Sequence, residues 1–332
     1  MGSKEQKREK ALPAVLYLVI PCFNEEEVLE ETARELLAVM TAMTDTGLIG
    51  PKSRILFVDD GSMDRTWEIL EKLGKSSPLV SALRLRANAG HQNALYAGLM
   101  EAKDCCHMSI SMDADLQDDP ALIPAMVEKF YEGNDIVYAV RKSRRGEGLF
   151  KRASAFGFYR FMKALGGPMP KDCGDFRLMS REAMEALSLF GENRPVLRGL
   201  APLLGFPSAQ VIFDRRSRRR GRSKYSVKSM MRFAVDGVVS FSAAPIHLIF
   251  FLGIGLFLAA GGYLLYTAGR EPGVRQILGT IWAAAGLVLM GIGAVGQYVV
   301  RIWREVTGRP RYFVRERLGE YAGGDEGEEE CR

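Results

Sequence analysis

The sequence predicts an open α/β domain followed by a hairpin of two membrane-spanning helices. Over the first 235 residues, short apolar runs alternate with amphipathic stretches, a pattern typical of parallel sheets flanked by helices. Charged residues make up 26% of the chain, nearly vanish between residues 233 and 300, and return afterwards. Two charge-free runs within that interval are each long enough to cross a bilayer.

The strands and helices follow from the spacing of the apolar residues. Five short apolar runs predict buried strands, at residues 15–20, 55–58, 80–85, 108–112 and 136–140. Four segments between them have helical periodicity, at residues 25–43, 65–73, 93–102 and 120–131. In such a sheet, ligands bind at the carboxyl ends of the strands.

The membrane hairpin is predicted from residues 245–267 and 277–300, which contain no Asp, Glu, Lys or Arg. Each run exceeds the roughly 20 residues that a spanning helix needs. A pair of buried core helices is the alternative, but core helices seldom run this long without a charge. Arginine-rich segments flank the hairpin, whereas its connecting loop holds only Arg270 and Arg275. The positive-inside rule therefore predicts that both ends are cytoplasmic.

Polar residues follow three of the predicted strands. Residues 21–25 follow the first strand, Asp59 and Asp60 follow the second, and Asp113 and Asp115 follow a later one. In an extended segment, two aspartates two residues apart point to the same side. They would then share a divalent cation, for which oxygen ligands favour Mg²⁺ or Mn²⁺. The pair alone is weak evidence, because aspartates also cap helices.

Five motifs together carry a family resemblance. They are VDDGS at 58–62, NAGHQN at 88–93, MDADLQDDP at 112–120, CGDFRL at 173–178 and RRRGRSKY at 218–225. In this order and spacing they resemble the family-two glycosyltransferases of GT-A fold. Within that family the chain looks like the polyprenyl-phosphate glycosyltransferases, which include bactoprenol glucosyltransferases and dolichol-phosphate mannose synthase. The resemblance implies a Rossmann-like α/β domain that binds a nucleotide sugar.

The resemblance also assigns roles to the residues that match the motifs. The residues expected to bind the nucleotide sugar are Pro21, Phe23, Glu25, Asp59, Asp60, Asp113, Ala114, Asp115, Arg218 and Lys224. The residues expected to hold Mg²⁺ or Mn²⁺ are Asp113, Asp115 and Gln117. The acceptor phosphate is assigned to Arg141 and Arg152. The catalytic set is Asp115, Gln117, Arg141, Arg152, Arg218 and Lys224. Asp118, Asp172 and Asp175 stay open as bases or as acceptors for sugar hydroxyls, with helix capping the expected role of Asp118.

The domain boundaries combine these predictions. They are a disordered N-terminus at 1–12, a GT-A catalytic domain at 13–226, an interfacial amphipathic segment at 227–243, two transmembrane helices at 244–303 and a cytoplasmic tail at 304–332. The polar N-terminus lacks the apolar core of a secretory signal, so it is expected to stay in the cytoplasm. The five cysteines show no metal-binding spacing, which fits a reducing compartment.

The expected function is an inverting transfer of a sugar, with UDP-glucose as the leading donor, to undecaprenyl phosphate. The expected location is the cytoplasmic face of the inner (plasma) membrane, and bacterial relatives suggest a homo-tetramer. GDP-mannose and UDP-aminoarabinose stay open as donors, and a non-catalytic scaffold that binds nucleotide sugars is a further alternative. A processive polysaccharide synthase is disfavoured because no Gln-x-x-Arg-Trp motif is present. Nucleic acid is not expected as a partner, because no recognition fold surrounds the basic run at 215–224.

Overall fold

The computed structural model describes residues 13–141, 173–191, 197–213, 255 and 273–319. They belong to two compact units. The first unit contains residues 13–141, 173–191, 197–213 and 310–319, and the second contains residues 255 and 273–309. The predicted disordered N-terminus and interfacial segment, and all but residue 255 of the first hydrophobic run, lie outside the described residues.

The first unit is built on a sheet of eight described strands. In chain order these are β1 (Leu16–Cys22), β2 (Arg54–Asp59), β3 (Val80–Leu85), β4 (Met108–Ser111), β5 (Ile136–Arg141), β6 (Cys173–Ser180), β7 (Ser208–Phe213) and β8 (Val314–Leu318). Across the sheet the order is β7-β5-β6-β4-β1-β2-β3-β8. The central strands β4, β1, β2 and β3 are parallel, whereas β6 and β8 run antiparallel to their neighbours. All five strands predicted from apolar runs are confirmed.

The first unit contains helices at the four predicted segments and further helices that were not predicted. They are α1 (Leu29–Asp45), α2 (Thr66–Ser76), α3 (His91–Ala102), α4 (Ile123–Tyr131), α5 (Arg181–Ser188) and α6 (Leu197–Leu200), with 3-10 turns at Pro120–Leu122 and Ala201–Leu204. Helix α1 begins four residues later than predicted. The reason is that Thr66 and Asp64 accept the backbone N–H groups of Glu25 and Glu26, which holds that segment in a turn.

Helix α3 lies unusually close to the centre of the sheet. A Cβ atom on Gly98 would come within 2.4 Å of Val19 Cγ1 and 2.7 Å of Val58 Cγ2, which belong to β1 and β2. Real Cβ atoms essentially never make such contacts, so a side chain at this position would force its neighbours to shift. The close approach fixes α3 against the two strands whose carboxyl ends carry the predicted site.

Strand β8 was not predicted, because the charged sequence VRERL resembles a solvated tail. It pairs antiparallel with β3, and its Arg317 forms an ion pair with Glu101 of α3 at 2.7 Å. Just before the strand, the Arg311 guanidinium lies 4.2 Å from the ring centre of Tyr96 and donates to the carbonyl of Phe190. Residues 310–319 therefore form part of the first unit.

The second unit contains helix α7 (Val274–Val306), which includes the second predicted hydrophobic run. In the part of the chain that the structure describes, no helix is long and apolar enough to cross a membrane. The transmembrane hairpin stays a prediction.

Candidate active site

The predicted polar segments meet at the carboxyl ends of β1, β2 and β4. Cys22 pairs with Asp59 in the parallel register, and the N–H of Asp60 donates to the carbonyl of Cys22 (2.9 Å). On the other side of β1, the N–H of Met112 donates to the carbonyl of Val19 (3.2 Å). The segments that follow these three strands therefore begin side by side, as predicted for a parallel sheet.

The loops after β1 and β2 are locked together by hydrogen bonds. Asn24 has a positive φ of 52°, its N–H donates to Ser62 Oγ (2.9 Å) and its Oδ1 accepts from the N–H of Met63 (2.9 Å). Pro21 is buried, whereas the neighbouring Phe23 and Glu25 are half-buried. This arrangement holds the loop after β1, with the predicted nucleotide-binding residues Phe23 and Glu25, in a fixed position beside the loop after β2.

Asp59 is fully buried and organises the loop of β2. Its Oδ1 accepts the N–H of Ser62 (3.0 Å), and its Oδ2 lies 3.4 Å from Arg84 Nε. Burial raises the pKa of this carboxyl, and the hydrogen bonds from Ser62 and the charge of Arg84 only partly offset that effect.

Asp60 holds the loop that leads into α3. Its two carboxylate oxygens accept the N–H groups of Ala89 (2.7 Å) and Gly90 (3.0 Å). The side chain is almost fully buried, and burial raises its pKa despite these two bonds. The loop ends at Gly90, whose positive φ of 90° precedes His91, the first residue of α3. The nucleotide-binding roles predicted for Asp59 and Asp60 stay predictions.

The Asp-x-Asp segment forms a turn, so the expectation of an extended conformation is wrong. Strand β4 ends at Ser111 and Leu116 has a positive φ of 52°. Within the turn, Asp115 accepts from both the backbone N–H (3.1 Å) and the side-chain amide (2.5 Å) of Gln117. The carbonyl of Ala114 accepts from Thr32 Oγ1 of α1 (2.7 Å). The turn thus brings Asp115 and Gln117 together, and their assignment to a metal stays a prediction.

The helix start expected at residues 118–120 is confirmed, with one correction. The capping residue is Asp119, whose Oδ1 accepts the N–H of Ala121 (2.9 Å), rather than Asp118. The carboxyl group of Asp119 is one residue closer to the free N–H groups at the start of the helix, whereas Asp118 is buried.

Asp113 belongs to a cluster with His91 and Asp175. The ligand atoms of the three side chains all lie within 4.8 Å of one another. His91 Nε2 lies 3.3 Å from Asp175 Oδ2 and 3.5 Å from Asp113 Oδ1. Asp175 comes from β6, which is inserted antiparallel next to β4. Sequence reasoning left His91 without a role, although it stands in the NAGHQN motif, and it did not join Asp175 to the metal segment.

The charges in this cluster favour an imidazolium between carboxylates. Burial lowers the pKa of His91, but the hydrogen bond to Asp175 and the charges of Asp113, Asp175 and Asp60 outweigh it and raise that pKa to about 9. For Asp175, burial raises the pKa, but the hydrogen bond from His91 and the charges of Arg177 and Arg198 outweigh burial and hold this pKa well below its usual range. A cation that took His91 Nε2 as a ligand would therefore replace a proton.

Asp175 is held by further side chains that sequence reasoning missed. Gln92 Nε2 donates to its Oδ2 (3.0 Å), and the buried Arg177 donates to its Oδ1 (2.9 Å). Arg198 of α6 lies 3.8 Å from Oδ2. No single motif contains these residues, because they come from three separate elements of the chain.

Four predicted residues lie at the limits of the described chain or beyond them. Arg141 is the last residue of β5, and Arg152, Arg218 and Lys224 lie outside the described residues. Their predicted roles at the two phosphates stay predictions. The described cluster contains two carboxylates and an imidazole, and this set of ligands suits Mn²⁺ and, through its oxygens, Mg²⁺.

Comparison with known proteins connects this site to a family. The model of glycosyl transferase family 2 matches residues 17–188, which contain most of the described site. The chain belongs to glycosyltransferase family two. It is therefore a transferase enzyme, and its sheet is the Rossmann-like α/β sheet of the GT-A fold.

Two relatives extend this similarity over most of the chain. An uncharacterized glycosyltransferase of Bacillus subtilis, YkoT, is 44% identical over 306 residues, which cover 90% of this chain and 91% of the relative. The SfII prophage-derived bactoprenol glucosyl transferase of Shigella flexneri is 34% identical over 311 residues, which cover 90% and 96%. Among solved structures, the glucosyl-3-phosphoglycerate synthase from Mycobacterium tuberculosis in complex with Mn²⁺ and UDP is 20% identical, covers 69% of this chain and 80% of its own, and has a TM-score of 0.44.

Proposed function

We propose that this glycosyltransferase moves glucose from UDP-glucose to undecaprenyl phosphate at the cytoplasmic face of the inner (plasma) membrane. The observation that carries the proposal is the Asp113 cluster at the carboxyl edge of the family-two sheet. The choice of glucose and of a lipid phosphate rests on the relatives, because several of them are named bactoprenol glucosyl transferases and match most of the chain. The CGDFRL segment, which carries Asp175, also resembles those enzymes.

The donor would lie across the loops that follow β1, β2 and β4. Pro21, Phe23 and Glu25, with Asp59 or Asp60, would line the nucleoside. Asp113, Asp115 and Gln117, together with His91 and Asp175 of the Asp113 cluster, would hold Mg²⁺ or Mn²⁺ beside the diphosphate. This assignment fits the donor atoms present, since carboxylate and amide oxygens are ordinary ligands of both cations and the imidazole suits Mn²⁺. When bound, the cation supplies positive charge that stabilises the departing nucleotide.

The acceptor phosphate needs little activation. It is anionic at neutral pH, so it attacks the anomeric carbon without a strong general base. Arg141 and Arg152 would grip this phosphate, and Arg218 and Lys224 would offset the charge on the leaving diphosphate. Catalysis then consists mainly of positioning and electrostatic stabilisation. A single displacement inverts the anomeric centre, so an α-linked donor gives a β-linked lipid phosphate.

The membrane hairpin at residues 245–267 and 277–300 is part of the proposal. Helix α7 supports it by exposing large apolar side chains, including Ile281, Val288 and Ile292. The sheet supports a position of both ends on the same side of the membrane, because β7 precedes the hairpin and β8 follows it. A chain that leaves one sheet and returns to it must cross a membrane an even number of times. The homo-tetramer suggested by the resemblance belongs to the same proposal, and light scattering on the detergent-solubilised protein measures it.

The test is transfer by the purified full-length protein. It is incubated with undecaprenyl phosphate, Mg²⁺ or Mn²⁺, and radiolabelled UDP-glucose, GDP-mannose or UDP-aminoarabinose in separate reactions. We expect a lipid-linked product from UDP-glucose that is lost on addition of a chelator. A product from another donor alone would reassign the sugar, and no product from any donor would refute the proposal. Asp104→Asn serves as a control, because Asp104 is exposed and pairs only with its neighbour Lys103 among the described contacts.

A further inference from the structure

Arg198 combines a buried hydrogen-bond donor with a partly exposed charge. Its Nε is buried and has no hydrogen-bond partner within the described part of the chain. About a third of the side chain, 33%, is nevertheless exposed. A buried N–H without an acceptor is unfavourable because it has lost water without replacing it. Arg198 therefore resembles a side chain prepared for an acceptor outside the described residues.

The backbone before Arg198 is held by side chains of the site itself. The N–H of Leu197 donates to Gln92 Oε1 (3.1 Å), and its carbonyl accepts from the buried Arg177 (2.7 Å). Gln92 and Arg177 also donate to the two carboxylate oxygens of Asp175. The same two side chains thus fix Asp175 and the start of α6, which places Arg198 beside the cluster.

The need to neutralise the Asp175 carboxylate does not explain why Arg198 lies in this position. Asp175 already accepts from Gln92 (3.0 Å) and Arg177 (2.9 Å) and lies 3.3 Å from His91 Nε2. The terminal nitrogen of Arg198 is 3.8 Å from Asp175, which is beyond hydrogen-bonding distance. Its interaction with Asp175 is therefore an ion pair without a hydrogen bond, and its Nε has no acceptor among the described residues.

We propose that Arg198 binds a phosphate oxygen of the substrate. The assignment rests on the proposed function, because it takes the ligand of this site to be a sugar donor or a lipid phosphate. A guanidinium presents a planar fork that matches two phosphate oxygens. It would also reduce the repulsion between an incoming phosphate and the carboxylates of Asp113 and Asp175. The donor diphosphate and the acceptor phosphate offer the same oxygens, and the experiment distinguishes them.

The test uses the full-length protein in nanodiscs and three variants. Arg198→Met removes the charge, Arg198→Lys keeps the charge without the fork, and Arg54→Met is the matched control. Arg54 lies on β2 and bonds only to the carbonyls of Pro51 and Ser53 among the described contacts. For each protein, the Michaelis constant for each substrate, the affinity for UDP with Mn²⁺ and the thermal stability are measured.

Loss of one charged bidentate contact should raise one Michaelis constant about tenfold or more, with Arg198→Lys intermediate and Arg54→Met unchanged. A rise confined to undecaprenyl phosphate assigns the acceptor phosphate, whereas weaker UDP binding assigns the donor diphosphate. Unchanged Michaelis constants and UDP affinity, with lower thermal stability alone, would overturn the inference. If the wild type forms no lipid product, the proposed function fails. The affinity for UDP then tests the role of Arg198 alone, and an affinity that is unchanged in Arg198→Met refutes that role.

Discussion

Replacing Asp60 with asparagine should release the loop that precedes α3. In the native protein both oxygens of this buried carboxylate accept backbone N–H groups, from Ala89 and Gly90. An asparagine keeps one acceptor and turns its NH₂ group towards the second N–H. One charge-assisted bond is lost and one donor is left unsatisfied, and relief from burying a charge offsets part of the cost. We expect the loop to be destabilised by about 2 kcal/mol.

Hydrogen exchange measures this effect directly, because the affected groups are backbone amides. A change of about 2 kcal/mol corresponds to roughly 30-fold faster exchange of the Ala89 and Gly90 amides. Asp104→Asn provides the control, since its side chain is 69% exposed and surface changes are usually within about 0.5 kcal/mol. Because His91 directly follows this loop, transfer activity should fall with it. If the peptide covering residues 88–93 exchanges as slowly in Asp60→Asn as in the control, Asp60 does not hold the loop.

Three further predictions test the fold and the site. Gly98→Ala should lower the free energy of unfolding by about 2 kcal/mol, because the valines beneath it are stiff and the better helix propensity of alanine offsets only about 1 kcal/mol of the overpacking. Gly74→Ala is the control and should cost less in the same thermal denaturation, because the side chain that it meets, Leu318, can rotate. Asp113→Asn should weaken UDP binding in the presence of Mn²⁺ but not in its absence, as read by calorimetry, and equal loss in both would exclude a metal role. Glu316→Gln should weaken UDP binding slightly through Arg84, which lies 3.8 Å from Glu316 and 3.4 Å from the buried Asp59 of the predicted nucleotide site; unchanged affinity would show that β8 does not act on that site.

The parts of the fold that the sequence predicts are those with a local signal. Strands β1 to β5 are short and buried, so each is visible as an apolar run. The edge formed by Asp59, Asp60 and Asp113 follows from the rule that parallel strands end together. The turn at Asp115 was missed because the positive φ of Leu116 has no sequence signal, since leucine rarely adopts it.

The parts that the sequence does not predict depend on contacts between distant segments. Strand β6 pairs antiparallel between β4 and β5, and nothing in the CGDFRL segment specifies that position. Yet this pairing brings Asp175 to Asp113 and the buried Arg177 to Leu197. The motifs therefore predict which residues carry the chemistry, whereas the sheet order determines which of them meet.

Strand β8 belongs to the first unit but follows the second unit in the chain, so the sheet of the first unit depends on these late residues. It covers the edge of β3, and Arg311 and Arg317 contact Tyr96 and Glu101 on α3, the helix that begins at His91. A fragment that ended after β7 would leave the N–H and C=O groups of β3 unpaired at an open edge. It would also remove two cationic partners from the helix that carries His91. The family-two domain of this chain is therefore complete only when residues 310–319 have returned to the sheet, so its activity must be measured on the full chain.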